Sequence, residues 1–343
     1  MKMGTPASTG VALLTAGLVT AFAVCAPRRR AYSFTGRSVV ITGGSRGLGL
    51  VLARQLAAEG ARLMLIARDP GELAKAADDL RARHPSAEVT TVVADVTRRE
   101  AAERAISATI GAYGRIDVLV NNAGIIQVGP VDHMKLSDYD DAMKTHFWGP
   151  LFLVVAAVPH MRNQGGGRIV NISSIGGRIA LPHLVPYSAS KFALVGLSDG
   201  LRAELARDNI VVTTVCPGLM RTGSPLNASF KGQRSQEYSW FAIASSLPVL
   251  TISAERAAGQ IIGACRRGDA ELVITLQAKL AILARTLTPE LFGDVMSLVQ
   301  RVLPRPSGWE GDVAQPGRVA GPGWAPPVVL APMHAAASRN NEL

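Results

Sequence analysis

Cysteine is scarce and scattered: Cys25, Cys216 and Cys265 are the whole supply in 343 residues, odd in number and without a CxxC pair. That spacing excludes a disulfide framework and offers no zinc site, so no metal is expected and a reducing compartment fits. Aromatic residues make up only 5% of the chain. Lys and Arg exceed Asp and Glu by 36 to 26, a formal charge of +10. The excess is spread thinly and forms no basic stripe interleaved with aromatics, so nucleic acid is not expected as a partner. No internal repeat is evident. What is plentiful is apolar content, 48% of the chain, enough for one substantial core or two modest ones.

The two ends depart from this composition. Val11 to Ala26 reads VALLTAGLVTAFAVCA without a charge, and Arg28 to Arg30 follow. The run is short for a membrane span, which needs about 20 residues, so a signal peptide or a buried helix stays open beside an anchor. Pro27 and the residues before Cys25 argue against cleavage, and the arginines on the C-terminal side place the main domain in the cytoplasm. We expect residues 1–30 to be an uncleaved anchor with a basic flank; the alternative is a soluble cytoplasmic protein. At the other end, residues 304–343 are rich in Pro, Gly and Ala with no sustained period, which predicts a disordered tail.

Between these ends, short apolar runs alternate with helical patterns. Ser38 to Thr42 (SVVIT) leads into GGSRGLG and then a helical stretch from Leu48 to Glu59. A buried strand that feeds a helix N-terminus leaves unpaired N–H groups and the positive end of the helix dipole at one spot, where a pyrophosphate can sit. Gly43, Gly47 and Gly49 let the backbone come close. The alternation continues through Ala61–Ala67, Ala87–Val96 and Ile116–Gly124. It predicts an α/β fold: a doubly wound parallel sheet of the Rossmann type with helices on both faces, and ligands at the C-terminal strand ends.

One group is missing where a NAD site would have it. A carboxylate after the second strand holds the ribose 2′-hydroxyl of NAD, but here Ala67 and Arg68 follow that strand, and Arg46 lies in the glycine loop. Two guanidiniums near one ribose suit the 2′-phosphate of NADP(H), although both could be solvated surface arginines. Asp95 near the end of the third strand and Asn121 at the end of the fourth are further polar residues at that edge.

Tyr187 and Lys191 are four apart on a helical stretch and so share a face, about 6 Å apart. Ser174 precedes them at the exit of the strand GRIVNISS. A phenol is a weak base at neutral pH, but an adjacent ammonium and a nicotinamide cation both favour phenolate. Tyr187 could then exchange a proton with a carbonyl or hydroxyl oxygen held by Ser174 while hydride moves.

These motifs together resemble the short-chain dehydrogenase/reductase family, in its single-domain branch. The likeness runs from about Arg37 to Thr275 and rests on TGGSRGLG for TGxxxGxG, NNAG at Asn121 to Gly124, the Ser174, Tyr187 and Lys191 set, and PGLMRT at Pro217 to Thr222. The resemblance implies a Rossmann catalytic domain over residues 36–275 and alcohol–carbonyl interconversion linked to NAD(P). It implies cofactor contacts from Gly43, Ser45, Arg46, Gly47, Leu48 and Gly49 in the glycine loop. Further contacts would come from Arg68, Asp95 and Val96, from Asn122, Ala123 and Gly124, and from Pro217, Gly218 and Thr222. Lys191 would hold the nicotinamide ribose, and Arg46 with Arg68 would mark NADP preference. A homodimer or homotetramer through the two long helices is implied as well.

The chain departs from the family at THFWG, where His146 stands in place of an asparagine whose main-chain carbonyl holds a relay water. Pro150 lacks the N–H that would bond the His146 carbonyl four residues back, and its ring pushes that carbonyl aside. A freed backbone carbonyl, a proton-shuttling imidazole and a packed histidine are the three readings of His146.

Substrate contacts are expected after Thr222, where Phe230, Trp240 and Phe241 are either a lipophilic lid or core anchors. Residues 276–303 form two amphipathic stretches parted at Pro289, a helical extension that could cover the pocket, join a dimer or lie on a bilayer. The expected activity is the interconversion of a lipophilic ketone and a secondary alcohol. The substrate could be a 3-oxoacyl or sphingoid-type ketone or a hydroxysteroid. The rival from another class is a silent nucleotide-binding scaffold, against which the intact Ser174, Tyr187 and Lys191 argue.

Overall fold

The structure is a computed structural model and describes residues 32–247, 250–321 and 323–343. The anchor expected over residues 1–30 therefore lies outside the described residues. Among those described, no helix is long and apolar enough to cross a membrane.

The first half runs β1 (Ser38–Thr42), α1 (Gly47–Ala58), β2 (Arg62–Ala67), α2 (Pro70–Arg83), β3 (Val89–Val93), α3 (Arg99–Tyr113), β4 (Val118–Asn121), β5 (Gln127–Val128), α4 (Leu136–Met143) and α5 (Gly149–Asn163). Then follow β6 (Gly167–Ile172), α6 (Val185–Leu205), β7 (Ile210–Pro217), β8 (Leu219–Arg221), β9 (Ser229–Phe230), α7 (Arg234–Ala244) and β10 (Thr251–Ser253). The last are α8 (Ala254–Arg267), β11 (Glu271–Ile274), α9 (Leu276–Leu287), α10 (Pro289–Val302), β12 (Gln315–Pro316) and α11 (Pro327–Arg339).

The central sheet has seven strands in the order β11-β7-β6-β4-β1-β2-β3, every pairing parallel. All five residues of β1 are buried. A parallel sheet needs helices on both faces because its crossovers put them there, and its strands then read as nearly unbroken apolar runs. Val40, Met64, Leu119, Ile169 and Val212 pack under Ala102 and Ile106 of α3 and Leu153 and Ala157 of α5. The strand order reverses between β1 and β4, which opens a crevice at their C-terminal ends, the position where such sheets bind ligands.

Lys144–Trp148, between α4 and α5, is a π-helical turn in which the Gly149 N–H reaches back five residues to the Lys144 carbonyl. The irregularity stands immediately before Pro150, the residue that cannot supply the regular i−4 bond.

The expectation of a disordered tail is corrected. From Gly308 onward the chain lies on the catalytic domain. β12 pairs with β9, which also pairs with β5, to make a separate three-stranded sheet. Leu330, Met333 and Ala337 of α11 are three and four apart, so they share one helical face, and they are buried with Phe230, Tyr238 and Phe241. Composition hid this because Pro327 begins a helix well and alanine-rich stretches favour helix, while the apolar positions are few. The same cluster makes Phe230 and Phe241 core anchors. α9 and α10 behave otherwise. Leu276, Leu280, Leu283 and Leu287, then Leu291, Val295, Leu298 and Val302, run along them as exposed stripes.

Candidate active site

The glycine loop is tied to the NNAG segment by side chains. The Thr42 hydroxyl accepts the Asn122 and Ala123 N–H groups at 2.9 and 3.0 Å. The Asn122 amide donates to the Thr42 carbonyl at 2.9 Å. A methyl group added at Gly49 would sit 2.0 Å from the Gly43 carbonyl oxygen, so no other residue fits there. Gly43, at φ +62°, approaches the backbone of Ala123. This cradle at the start of α1 has the closeness and the N–H donors that a dinucleotide pyrophosphate requires. Ser45 and Arg46 are both held by Glu72, at 2.9 and 2.7 Å. Arg68 is exposed at the end of β2, and Leu48 is buried. Asp95 accepts the amide and hydroxyl of Thr97, which shapes the turn after β3, and Val96 beside it is buried.

Ser174 follows β6, and Tyr187 and Lys191 lie one turn apart in the first turns of α6. The three come together. A methyl group on Gly176 would lie 3.0 Å from the Tyr187 ring and 3.5 Å from Ser174 Oγ. Lys191 Nζ is 5.7 Å from the Tyr187 ring centre and donates to the Ile172 carbonyl at 2.9 Å. Gly124 abuts Lys191 Nζ and His146 Nε2. Burial pushes the Tyr187 phenol up, the nearby Ser174 hydroxyl opposing it. Burial likewise lowers Lys191 to about 7. With no nicotinamide cation beside it, burial favours the protonated phenol. Beneath the site, burial pushes the Cys216 thiol up to about 12, so it is inert.

His146 is 1% exposed and both its ring nitrogens are engaged. The Ile125 N–H donates to Nε2 at 3.1 Å, so the ring proton resides on Nδ1. Nδ1–H then donates to Ser190 Oγ at 2.8 Å, and Ser190 donates to the Tyr187 carbonyl at 2.8 Å. The imidazole meets the Tyr187 ring edge-on at 5.4 Å. Burial first, then the Lys191 charge, holds its pKa well below 6.5.

At the far wall, Gly218 is bonded to the Ile274 carbonyl, Pro217 ends β7, and buried Thr222 is bonded to Ser224. Here the tail enters. The Asn340 carbonyl accepts the Gly47 N–H at 2.9 Å, and Glu342 Oε2 accepts the Gly223 N–H at 2.7 Å. The cradle residues fit a dinucleotide, and the tail engages one N–H donor of the cradle, Gly47, and one of the facing wall, Gly223. Sequence reasoning missed Glu72, Ser190 and Glu342. Ser190 lies inside the YxxxK span, but no sequence signal marks Glu342. A separate cleft of about 560 Å³, bordered by Gly232, Ser235, Trp309 and Gly311, contains none of these residues.

Residues 37–231 match the model of the short chain dehydrogenase family. This protein belongs to the short-chain dehydrogenase/reductase family, an oxidoreductase family with a parallel Rossmann-like sheet. SadH of Mycobacterium tuberculosis is 36% identical over 256 residues, 74% of this chain and 91% of its own length. Among solved structures, L-sorbose reductase from Gluconobacter frateurii, complexed with NADPH and L-sorbose, has a TM-score of 0.64 at 26% identity. The match covers 71% of this chain and 97% of that one. A short-chain dehydrogenase/reductase from Burkholderia phymatum in complex with NAD has a TM-score of 0.69 at 26% identity, covering 76% and 96%.

Proposed function

We propose that the chain is an NADP-dependent oxidoreductase that interconverts a lipophilic ketone and a secondary alcohol, with Tyr187 as general acid/base. The observation that carries this is the convergence of Ser174, Tyr187 and Lys191 at the sheet edge that also bears the glycine cradle. A bound nicotinamide would supply or accept the hydride. Tyr187 would give its proton to the carbonyl oxygen in reduction, a role suited to a phenol whose burial keeps it protonated. Ser174 would hold the same oxygen, and Lys191 would hold the nicotinamide ribose. His146 acts through Ser190 on the Tyr187 backbone and is a positioning residue.

Arg68, exposed after β2 where no carboxylate stands, favours the 2′-phosphate form of the cofactor, as does Arg46 of the glycine loop, which is paired with Glu72. Ile126, Leu181 and Trp240, which like Tyr187 are partly buried against the second core, favour an apolar substrate. Trp148 stacked on Phe152, with exposed Val155, gives α5 a face for a second copy of the chain. The apolar run at residues 11–26 favours membrane tethering with the catalytic domain in the cytoplasm.

The test is purified protein with NADPH against a panel of lipophilic ketones, followed at the nicotinamide absorbance band. Turnover of at least one ketone is expected, with Tyr187→Phe slower by about 10²-fold or more. Turnover unaffected by Tyr187→Phe overturns the assignment.

A further inference from the structure

The last residues of the chain bridge the two loops between which a dinucleotide would lie. On one side the Asn340 carbonyl accepts the Gly47 N–H at 2.9 Å, and the Asn341 amide donates to the Ser45 carbonyl at 3.0 Å. Glu342 Oε1 comes so close to Gly47 that an added methyl group there would stand 3.0 Å from it. On the other side Glu342 Oε2 accepts the Gly223 N–H at 2.7 Å, and the Asn227 amide donates to the Glu342 carbonyl at 3.2 Å. Arg54 of α1 fixes the approach, donating to the Arg339 carbonyl and to Asn340 Oδ1 at 2.9 and 2.8 Å. Asn340 and Glu342 are 1% and 5% exposed, so this is a packed arrangement and not a chain end resting on the surface.

The contact puts acceptor oxygens where a phosphate would be received, and burial raises the Glu342 carboxyl to about 7. The Asn340 carbonyl takes the N–H donor at the positive end of α1 and the Glu342 carboxyl takes that of the loop after β8, donors that a dinucleotide's own oxygens would use. One set of donors cannot serve both. We propose that the cradle has a second ligand, the chain's own segment Asn340–Glu342, which competes with the dinucleotide and must withdraw before the dinucleotide binds. The inference rests on the cofactor reading given above. α11 stays anchored by Leu330, Met333 and Ala337 in the second core, so withdrawal needs only the residues after Arg339 to move. A segment docked about nine-tenths of the time weakens apparent dinucleotide affinity about tenfold, because only the open fraction can bind.

The test compares NADPH binding, by calorimetry or protein fluorescence, to the full chain, to a chain ending at Arg339 and to full-length Glu342→Ala. The shortened chain should bind NADPH about tenfold more tightly, with Glu342→Ala in between. A synthetic peptide of residues 334–343 added to the shortened chain should weaken NADPH binding again. In the full chain, saturating NADPH should speed hydrogen exchange at the amides of residues 340–342. Equal NADPH affinities in all three proteins, or exchange there unchanged at saturation, overturns the competition while leaving the cofactor reading intact. If neither the full chain nor the shortened chain binds NADPH or NADH, the cofactor reading fails and the competition with it. Should the shortened chain not fold, Glu342→Ala and the exchange experiment decide alone.

Discussion

His146 Nδ1 lies 2.8 Å from Ser190 Oγ, and that hydroxyl passes its own hydrogen to the main-chain carbonyl of Tyr187. With Nε2 occupied by the Ile125 N–H, the ring has no nitrogen left for a travelling proton. That arrangement fits the positioning role proposed for His146.

His146→Asn should therefore keep the acid limb of the wild-type pH–rate profile, whereas a shuttle would lose it. Stability should respond instead. The native pKa of His146 lies well below the unfolded value of about 6.5, so the neutral ring's contribution is present above that value and lost as pH falls below it. Urea midpoints at pH 7.5 and pH 5 should differ more for wild type than for His146→Asn. At pH 7.5 the variant should be less stable by about 1–3 kcal/mol from the lost hydrogen bonds.

Pro150→Ala restores a backbone N–H that can bond the His146 carbonyl, which favours regular α-helix over the π-helical turn at Lys144–Trp148. Turnover should fall several-fold with NADPH affinity unchanged, and by more than in His146→Asn. Wild-type turnover in Pro150→Ala, measured on folded protein, would show that the irregular turn has no part in the reaction.

Lys191 carries an opposing penalty. Its native pKa, lowered by burial to about 7, lies below the unfolded value of about 10.4. The cost of burying the ammonium is then greatest below pH 7 and relieved as pH rises toward the unfolded value. Lys191→Met should be inactive yet more thermostable than wild type at pH 6, with the gap narrowing by pH 9. Thermal melts across that range check the sign.

For the cofactor, NADPH should bind more tightly than NADH, and Arg68→Asp should erase or reverse the preference. Equal affinities for both in the wild-type protein would remove the 2′-phosphate assignment.

The glycine loop, the strand ends and the Tyr187–Lys191 pair were legible in sequence because each depends on neighbours within one strand–turn–helix unit. Gly49 can be read from sequence because its tight fit is against Gly43, six residues away. The Glu72 clasp on Arg46 was not legible, since ion pairs between separate elements leave no period in the chain. The docking of α11 was hidden for a related reason. Its buried face is Leu330, Met333 and two alanines, too weak a stripe to stand out among Pro, Gly and Ala. Pro150 marks the place of the irregular turn, but the imidazole's partners, Ile125 and Ser190, lie 21 and 44 residues away.

The pairing of β12 with β9 bears on how this chain can be cut. Residues after Pro304 look like a dispensable linker, and a truncation there would be a natural choice for crystallisation or expression. Such a cut would strip a neighbour from the short strand Ser229–Phe230 and bare the aromatic surface of Phe230, Tyr238 and Phe241. An unpaired strand edge beside uncovered rings is a recipe for self-association. A truncation meant to yield soluble protein should therefore fall after Arg339, where the chain has finished covering its second core.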